Sequence, residues 1–135
     1  MPNTRIAQNS GIGYLKVMVT AADNALPKEG ATVTVTSGVG ENATLINKQT
    51  TGRSGETVQI ELPTPPKELS LTPGNTNTFA KYNVRIDFPG YYTLENIDVP
   101  VFDGQVSMQP AQMIPLPVGD INGKKMTVYE NQIEL

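Results

Sequence analysis

The 135-residue sequence contains no cysteine and no histidine, and each absence restricts its chemistry. Without cysteine the chain cannot form a disulfide, a thiolate nucleophile or a Cys-based metal site. Without histidine it lacks the base that most hydrolytic triads place beside the nucleophile. Asp98 and Asp103 lie five residues apart, but glycosidases hold such a pair in a cleft, and carboxylates at the rim of a domain are the stronger interpretation. We therefore predict that the protein is not an enzyme and needs no cofactor.

Long apolar runs and clustered charge are also absent. No apolar stretch approaches the roughly 18 residues that suggest a membrane span, and residues 1–13 show no apolar core of a signal peptide. The net charge of −3 comes from 10 basic and 13 acidic residues that are scattered along the chain. Nucleic-acid binding normally requires a clustered basic face. We expect a protein made in the cytoplasm, with neither a nucleic acid nor a membrane as its partner.

One segment resembles the start of a calcium-binding loop. Asp120 and Asn122 place oxygen ligands two residues apart, and Gly123 follows them. The closing acidic ligand is not at the required position, because Glu130 falls two positions short of it. An Asx-type turn accounts for these residues, so no metal site is predicted.

The most informative pattern that is present lies in residues 78–88. Apolar and polar side chains alternate there over five apolar positions, which a half-buried β-strand produces and a helix cannot. One face carries Ala80, Tyr82, Val84, Ile86 and Phe88, and the other carries Lys81, Asn83, Arg85 and Asp87. Pro89 and Gly90 end the strand, and a second one follows, so the pair predicts an antiparallel sheet.

Similar short segments, separated by Gly, Pro and Asn, recur along the chain and predict an all-β fold. The predicted strands cover residues 15–20, 31–36, 44–51, 57–62, 78–88, 91–100, 105–109 and 110–117. In the fourth strand Val58, Ile60 and Leu62 are expected to point inward, as is Leu26 in an earlier connection. We predict a single antiparallel β-sandwich over residues 13–117, with a polar N-terminal arm (1–12) and a C-terminal tail (118–135).

Several phrases resemble the carboxypeptidase regulatory-like family of transthyretin-like, Ig-like sandwiches of about seven strands. The matching positions are Pro27, Gly30, Ala31, Val33, Val35, Thr51, Gly55, Gly90 and Tyr91. A closer likeness, which includes residues 96–104, is to an accessory module of clostridial spore-cortex-lytic and peptidoglycan-binding proteins. The resemblance covers about residues 14–117. It implies a non-catalytic module, whereas the enzyme or wall-binding domain of those proteins has no counterpart in this sequence.

Three groups of residues are candidates for partner binding. A row of threonines (Thr32, Thr34, Thr36) exposes a flat β-prone face that is either solvated or docks a protein. Either Tyr91 or Tyr92 could stack on a sugar ring, since alternation turns one of them toward the core. In the tail, Met126 and Val128 alternate well enough to add a strand to the edge of a neighbouring subunit. The tail candidates are Met126, Val128, Tyr129, Ile133 and Leu135.

A small Cys-free sandwich with two polar arms resembles the decoration, collar and tail-accessory proteins of bacteriophage particles. The first functional hypothesis is therefore a structural protein of a virion or phage-tail-like particle, held by protein–protein interaction in a homo- or hetero-oligomeric assembly. The alternative is a module that binds cell-wall peptidoglycan, with a glycan contact at Tyr91 or Tyr92.

Overall fold

The computed structural model describes residues 11–22, 25–38, 43–66, 79–117 and 125–129, and it shows an all-β protein. The described residues form nine strands and no helix. The strands are β1 (Gly11–Ala21), β2 (Leu26–Pro27), β3 (Thr32–Ser37), β4 (Thr44–Thr50), β5 (Ile60–Thr64), β6 (Ala80–Asp87), β7 (Thr93–Val101), β8 (Val106–Gln112) and β9 (Lys125–Tyr129). In the described part of the chain, no helix could cross a membrane.

Two sheets pack as a sandwich. In the first sheet, β1 pairs antiparallel with β2 and β5 and parallel with β8. The second sheet has the order β4-β3-β6-β7-β9, and its last pair is parallel. The predicted β-sandwich is thus confirmed. The two parallel pairings join strands from distant parts of the sequence. The alternation of residues within one strand does not indicate which strand it pairs with.

The core lies between the two sheets and is built by alternate residues of each long strand. On β1, Leu15, Val17 and Val19 are fully buried. On β6, the inward positions are Tyr82, Val84 and Ile86, as the alternation predicted. The remaining buried apolar residues of the core are Ala31, Val33, Val35, Ile60, Leu62, Leu94, Val99, Val101, Ala111 and Met113. Because both sheets contribute to one core, the described strands form a single packing unit.

Two predicted core positions are wrong. Val58 is 70% exposed, because residues 57–59 are not a strand and the side chain of Thr57 takes the inward place there. Thr57 Oγ1 accepts a hydrogen bond from the Val17 N–H over 3.0 Å. Leu26 is 52% exposed on the two-residue strand β2. Apolar character alone therefore did not determine which residues are buried.

Buried hydroxyls and a glycine fix the loop that precedes β3. Thr51 Oγ1 accepts a hydrogen bond from the Ala31 N–H over 3.0 Å and donates one to the Lys28 carbonyl over 2.5 Å. Gly55 has a φ of 81°, and its carbonyl accepts the Val19 N–H over 2.7 Å. The Thr51 bond and a bond from the Lys28 N–H to the Val19 carbonyl over 2.9 Å hold the backbone of Lys28 in place, and the Lys28 side chain reaches the site described below.

Strands are present near both ends of the described chain. Strand β1 begins at Gly11, inside the predicted arm, and its first residues pair with β5 from Thr64 onward. Strand β9 lies inside the predicted tail and pairs with β7. Backbone pairing thus reaches into both segments that were expected to lie outside the sandwich.

Candidate interaction surfaces

The threonine row lies on the outer face of the second sheet. Thr32, Thr34 and Thr36 are half-buried in β3 and alternate with the buried Val33 and Val35. Across the sheet they stand opposite polar residues of β6, with Asp87, Arg85 and Asn83 as the respective partners. Arg85 Nε and Asp87 Oδ2 form an ion pair over 3.1 Å. The threonines therefore belong to a polar and charged face.

The outer face of the first sheet has the opposite character. Tyr14, Lys16 and Met18 of β1 stand opposite Val106, Met108 and Pro110 of β8. We call the apolar members of this surface, with Ile12, the apolar face: Ile12, Tyr14, Met18, Val106, Met108 and Pro110. Val106, Met108 and Ile12 are 50%, 47% and 45% exposed.

Three charged residues, Lys16, Glu56 and Glu61, accompany the apolar face, and Glu61 stands opposite Tyr14. Lys16 Nζ lies 3.0 Å from Glu56 Oε1, so the cation in the middle of the surface has its own partner. The sequence reasoning missed this surface, although a signal was present. Tyr14 and Met18 occupy the side of β1 that faces away from the core, where a solvated strand normally carries polar residues.

An aromatic cluster lies where β6 turns into β7. The Phe88 and Tyr91 rings pack edge to face, with centroids 5.5 Å apart and planes at 62°. Pro89 and Gly90 form the turn between them, and Gly90 has a φ of 88°, which only glycine adopts without strain. The Lys28 ammonium lies 5.3 Å from the Phe88 centroid and 5.0 Å from that of Tyr91. Three side chains from two separate loops thus meet in a cation–π cluster.

A carboxylate with fixed orientation adjoins the rings. The Thr93 hydroxyl donates to Asp87 Oδ1 over 2.7 Å, and Arg85 Nε donates to Asp87 Oδ2 over 3.1 Å. The aromatic rings and this carboxylate line an open depression of about 530 Å³, which we call the turn pocket. The lining residues are Gly30, Thr32, Asp87, Phe88, Pro89, Gly90, Tyr91, Thr93 and Leu116.

The two adjacent tyrosines have different surroundings. Tyr91 is half-buried, packs against the core and lines the turn pocket. Tyr92 is also half-buried, does not line that pocket, and donates its backbone N–H to the Ile114 carbonyl over 2.8 Å. The expected division into one buried and one exposed tyrosine is therefore wrong, because the chain at Tyr91 and Tyr92 has not yet entered β7. Tyr91 therefore both packs on the core and lines the turn pocket.

The described part of the tail pairs within its own chain. In the parallel register of β7 and β9, Met126 stands opposite Leu94, Val128 opposite Asn96, and Tyr129 opposite Ile97. Val128 is 40% exposed. Among the described strands β9 is the last of the second sheet, so one of its edges is taken by β7, and pairing of the tail with a neighbouring subunit stays a prediction. Ile133 and Leu135 lie outside the described residues.

The two residues considered for catalysis take part in structural hydrogen bonds, Asp98 through its backbone and Asp103 through its carboxylate. Asp98 has a φ of 61°, and its N–H donates to Asn83 Oδ1 over 3.1 Å, at the irregularity where β6 and β7 shift register. Asp103 Oδ1 accepts the Ile12 N–H over 3.1 Å. Among the described residues, no group of three His, Cys, Asp or Glu side chains could hold a metal ion. The segment 120–123 and Glu130 lie outside the described residues, and the absence of enzyme activity stays a prediction.

Burial changes the acidity of one tyrosine in the core. Tyr82 is 6% exposed, and its burial raises the pKa of its phenol above the ordinary value of 10.0. The cause is desolvation, which disfavours the phenolate. Tyr82 therefore has the role of a neutral hydrogen-bond donor within the sandwich and not that of a base.

Comparison with known proteins shows similarity in fold. No family model and no curated protein matches the sequence. The minor pilin GBS52 of Streptococcus agalactiae is similar in structure, with a TM-score of 0.50 and 12% identity over 83% of this chain and 48% of the pilin. Two structures of transthyretin from the sea bream Sparus aurata give a TM-score of 0.38 and 20% identity, over 67% of this chain and 73% or 75% of theirs.

The similarity to the pilin extends over most of this chain but only about half of the pilin. At 12% identity it shows a common fold and gives no information on activity. The carboxypeptidase regulatory-like resemblance of residues 14–117 stays a prediction at the level of family. The chain has a β-sandwich fold similar to that of a Gram-positive minor pilin.

Proposed function

We propose that the protein is a non-catalytic structural subunit that associates with a second copy of itself through the apolar face. The observation that carries this proposal is the exposure of Val106, Met108 and Ile12 on the outer side of the first sheet. Soluble monomers rarely expose large contiguous apolar patches, and those that exist often mark protein interfaces. The outer side of the paired strands β1 and β8 suits packing against another sheet, as the two sheets of a sandwich pack on each other.

The charge distribution favours a second copy over a charged partner. Lys16 is paired with Glu56, and the carboxylate of Glu61 stands beside the face, opposite Tyr14, so the surface offers no excess cation to an acidic partner. A surface of this kind is compatible with itself, and twofold dimers are the commonest symmetric assemblies of soluble proteins. The polar second-sheet face, with Arg85 and Asp87, then remains in contact with solvent or with other subunits.

The proposed setting is a bacteriophage virion or tail-like particle, in which the protein is a decoration, collar or tail-accessory subunit. The small size of the sandwich and the lack of His and Cys support a structural role. The fold shared with a minor pilin is compatible with such a role, although a fold does not determine a function.

Measurement of mass in solution tests this proposal. Wild-type protein should sediment as a dimer or larger species at micromolar concentration, and Met108→Lys should shift it to the monomer, because the substitution places a charge in the apolar face. Leu45→Lys is the matched control, since Leu45 is 61% exposed on β4, in the other sheet. A monomeric wild type, or equal effects of the two substitutions in folded proteins, would contradict the proposal.

A second candidate function is binding of cell-wall peptidoglycan. The observation that favours it is the turn pocket, which brings Tyr91 and Phe88 beside the oriented carboxylate of Asp87. Co-sedimentation with purified insoluble peptidoglycan tests it directly. Retention of the wild-type protein in the pellet would support the candidate, and complete recovery in the supernatant would exclude it.

A further inference from the structure

We infer that the turn pocket is a binding site for a pyranose saccharide, with Phe88 and Tyr91 as the stacking surface and Asp87 as the principal hydrogen-bond acceptor. The inference rests on the second candidate function, binding of peptidoglycan. It adds the ligand class and the residues that would bind it. It is independent of self-association through the apolar face.

The two rings offer a rigid apolar surface. Phe88 and Tyr91 are both packed against the core, so little side-chain freedom remains to be lost when a ligand binds. The Lys28 ammonium already lies over Tyr91, 5.0 Å from the ring centroid, as a positive group does on an electron-rich ring. The C–H groups on one side of a pyranose ring are also positively polarised, and a bound sugar would take the place of Lys28 or use the part of the rings that Lys28 leaves uncovered. Tyr91 and Phe88 thus fit the apolar side of a sugar.

The carboxylate fits the hydroxyl groups of the same sugar. Each oxygen of Asp87 already accepts one hydrogen bond, from Thr93 or from Arg85, so the group is held in one orientation. A carboxylate has about four lone-pair sites and can accept further bonds from ligand hydroxyls. Thr32 stands opposite Asp87 in the register of β3 and β6 and adds another hydroxyl to the lining.

Charge and shape favour a neutral ligand. Among the described residues that line the turn pocket, Asp87 is the only carboxylate; Arg85 pairs with it, and the Lys28 ammonium lies over the two rings. A single paired carboxylate is a poor cation site, and it repels an anion. The volume of about 530 Å³ falls in the range typical of small-molecule sites. A Cβ built on Gly30 or Gly90 meets nothing within 4 Å, so the space above both glycines is open.

Calorimetric titration of the full chain with chitotetraose and with cellotetraose tests the inference. Asp87→Asn preserves the shape of the side chain but removes its charge, and we expect a loss of affinity of roughly tenfold, because hydrogen bonds to a charged group are among the stronger ones. Tyr91→Ala should abolish binding. Tyr92→Ala is the matched control and should bind as the wild type does, since Tyr92 does not line the pocket.

Two further measurements on the same samples separate the possible outcomes. Circular dichroism verifies that each variant is folded, and Asp87→Asn keeps the test valid if Tyr91→Ala does not fold. Sedimentation reports the oligomeric state, so loss of saccharide binding in an intact oligomer is distinguishable from failure of self-association. Binding of neither tetrasaccharide, or binding that Asp87→Asn leaves unchanged, would overturn the inference, whether or not peptidoglycan retains the protein.

Discussion

The hydroxyl of Tyr82 donates a hydrogen bond to the backbone carbonyl of Pro63 over 2.5 Å and so connects the two sheets. Tyr82 belongs to β6 in the second sheet, and Pro63 belongs to β5 in the first. Proline has no N–H to donate, but its carbonyl remains an acceptor. The bond satisfies a phenol that would otherwise be buried without a partner.

Replacement of Tyr82 by Phe should lower the free energy of unfolding at pH 8 by about 1 kcal/mol, the usual net value of such a bond. Burial raises the pKa of Tyr82 in the folded protein above 10.0. As the pH rises, Tyr82 therefore loses its proton first in the unfolded chain. The contribution of the phenol to the free energy of unfolding is full below pH 10, and it is lost as the pH rises through the folded pKa.

Urea unfolding of the wild type and Tyr82→Phe at pH 8, 10 and 11 checks this prediction. The difference between the two proteins should narrow as the pH rises, because only the wild type carries the titrating phenol at this position. The substitution changes no other ionisable side chain, so contributions from the rest of the protein cancel in the comparison. A difference that stays constant from pH 8 to pH 11 would show that Tyr82 ionises equally in both states.

Substitution of Val84 by Asp should be far more damaging than substitution of Arg85 by Asp. Val84 is fully buried in β6, so the new carboxylate would lie in the core without a partner, at a cost of about 4 kcal/mol or more. Arg85 lies on the exposed face, and its surface ion pair with Asp87 is worth at most about 1 kcal/mol. Thermal melts compare the two variants, and equal loss would mean that the register of β6 is wrong.

Alternation in β6 could be read from the sequence because each inward residue packs on the same core. The same reasoning failed at Val58, where the side chain of Thr57 bonds to the backbone of Val17 and takes the inward place. Such a bond depends on a strand that lies 40 residues earlier, and no local pattern reports it. The parallel pairing of β1 with β8 is equally nonlocal.

The candidate site was predictable only in part. Tyr91 stood out as an aromatic residue beside a turn, and the structure places it in the turn pocket. Its partners were not predictable, because Lys28 comes from a loop about 60 residues earlier and is positioned through Thr51. The apolar face requires the pairing of β1 with β8, which brings Met108 next to Lys16.

Two glycines with similar backbone angles should respond differently to alanine. Gly30 has a φ of 88°, and a Cβ there meets nothing within 4 Å, so Gly30→Ala should cost about 1 kcal/mol from backbone strain alone. Gly55 has a φ of 81°, and its Cβ would lie 2.5 Å from the Val19 carbonyl oxygen. That contact should add about 1–3 kcal/mol. Denaturant unfolding of both variants measures the difference, and equal costs would contradict the close approach at Gly55.

The tail provides the last prediction. Strand β9 pairs with β7 along Thr93–Ile97, so it covers an edge of the second sheet in the free protein. Among the residues whose burial is described, none on β9 belongs to the core, and Val128 is 40% exposed. Truncation after Pro117 should therefore leave the sandwich folded but reduce stability by roughly 2 kcal/mol, through the loss of cross-strand contacts.

Hydrogen exchange of the intact and the truncated chain locates the effect. Removal of the tail should increase exchange in β7, whose edge it uncovers, while β1 and β3 should keep their protection because they lie inside their sheets. Truncation after Tyr129 is the control, since it retains β9 and should leave the exchange of β7 unchanged. If β7 exchanges equally with and without residues 118–135, β9 is not held on this edge in solution, and both edges of the tail segment are available to a neighbouring subunit.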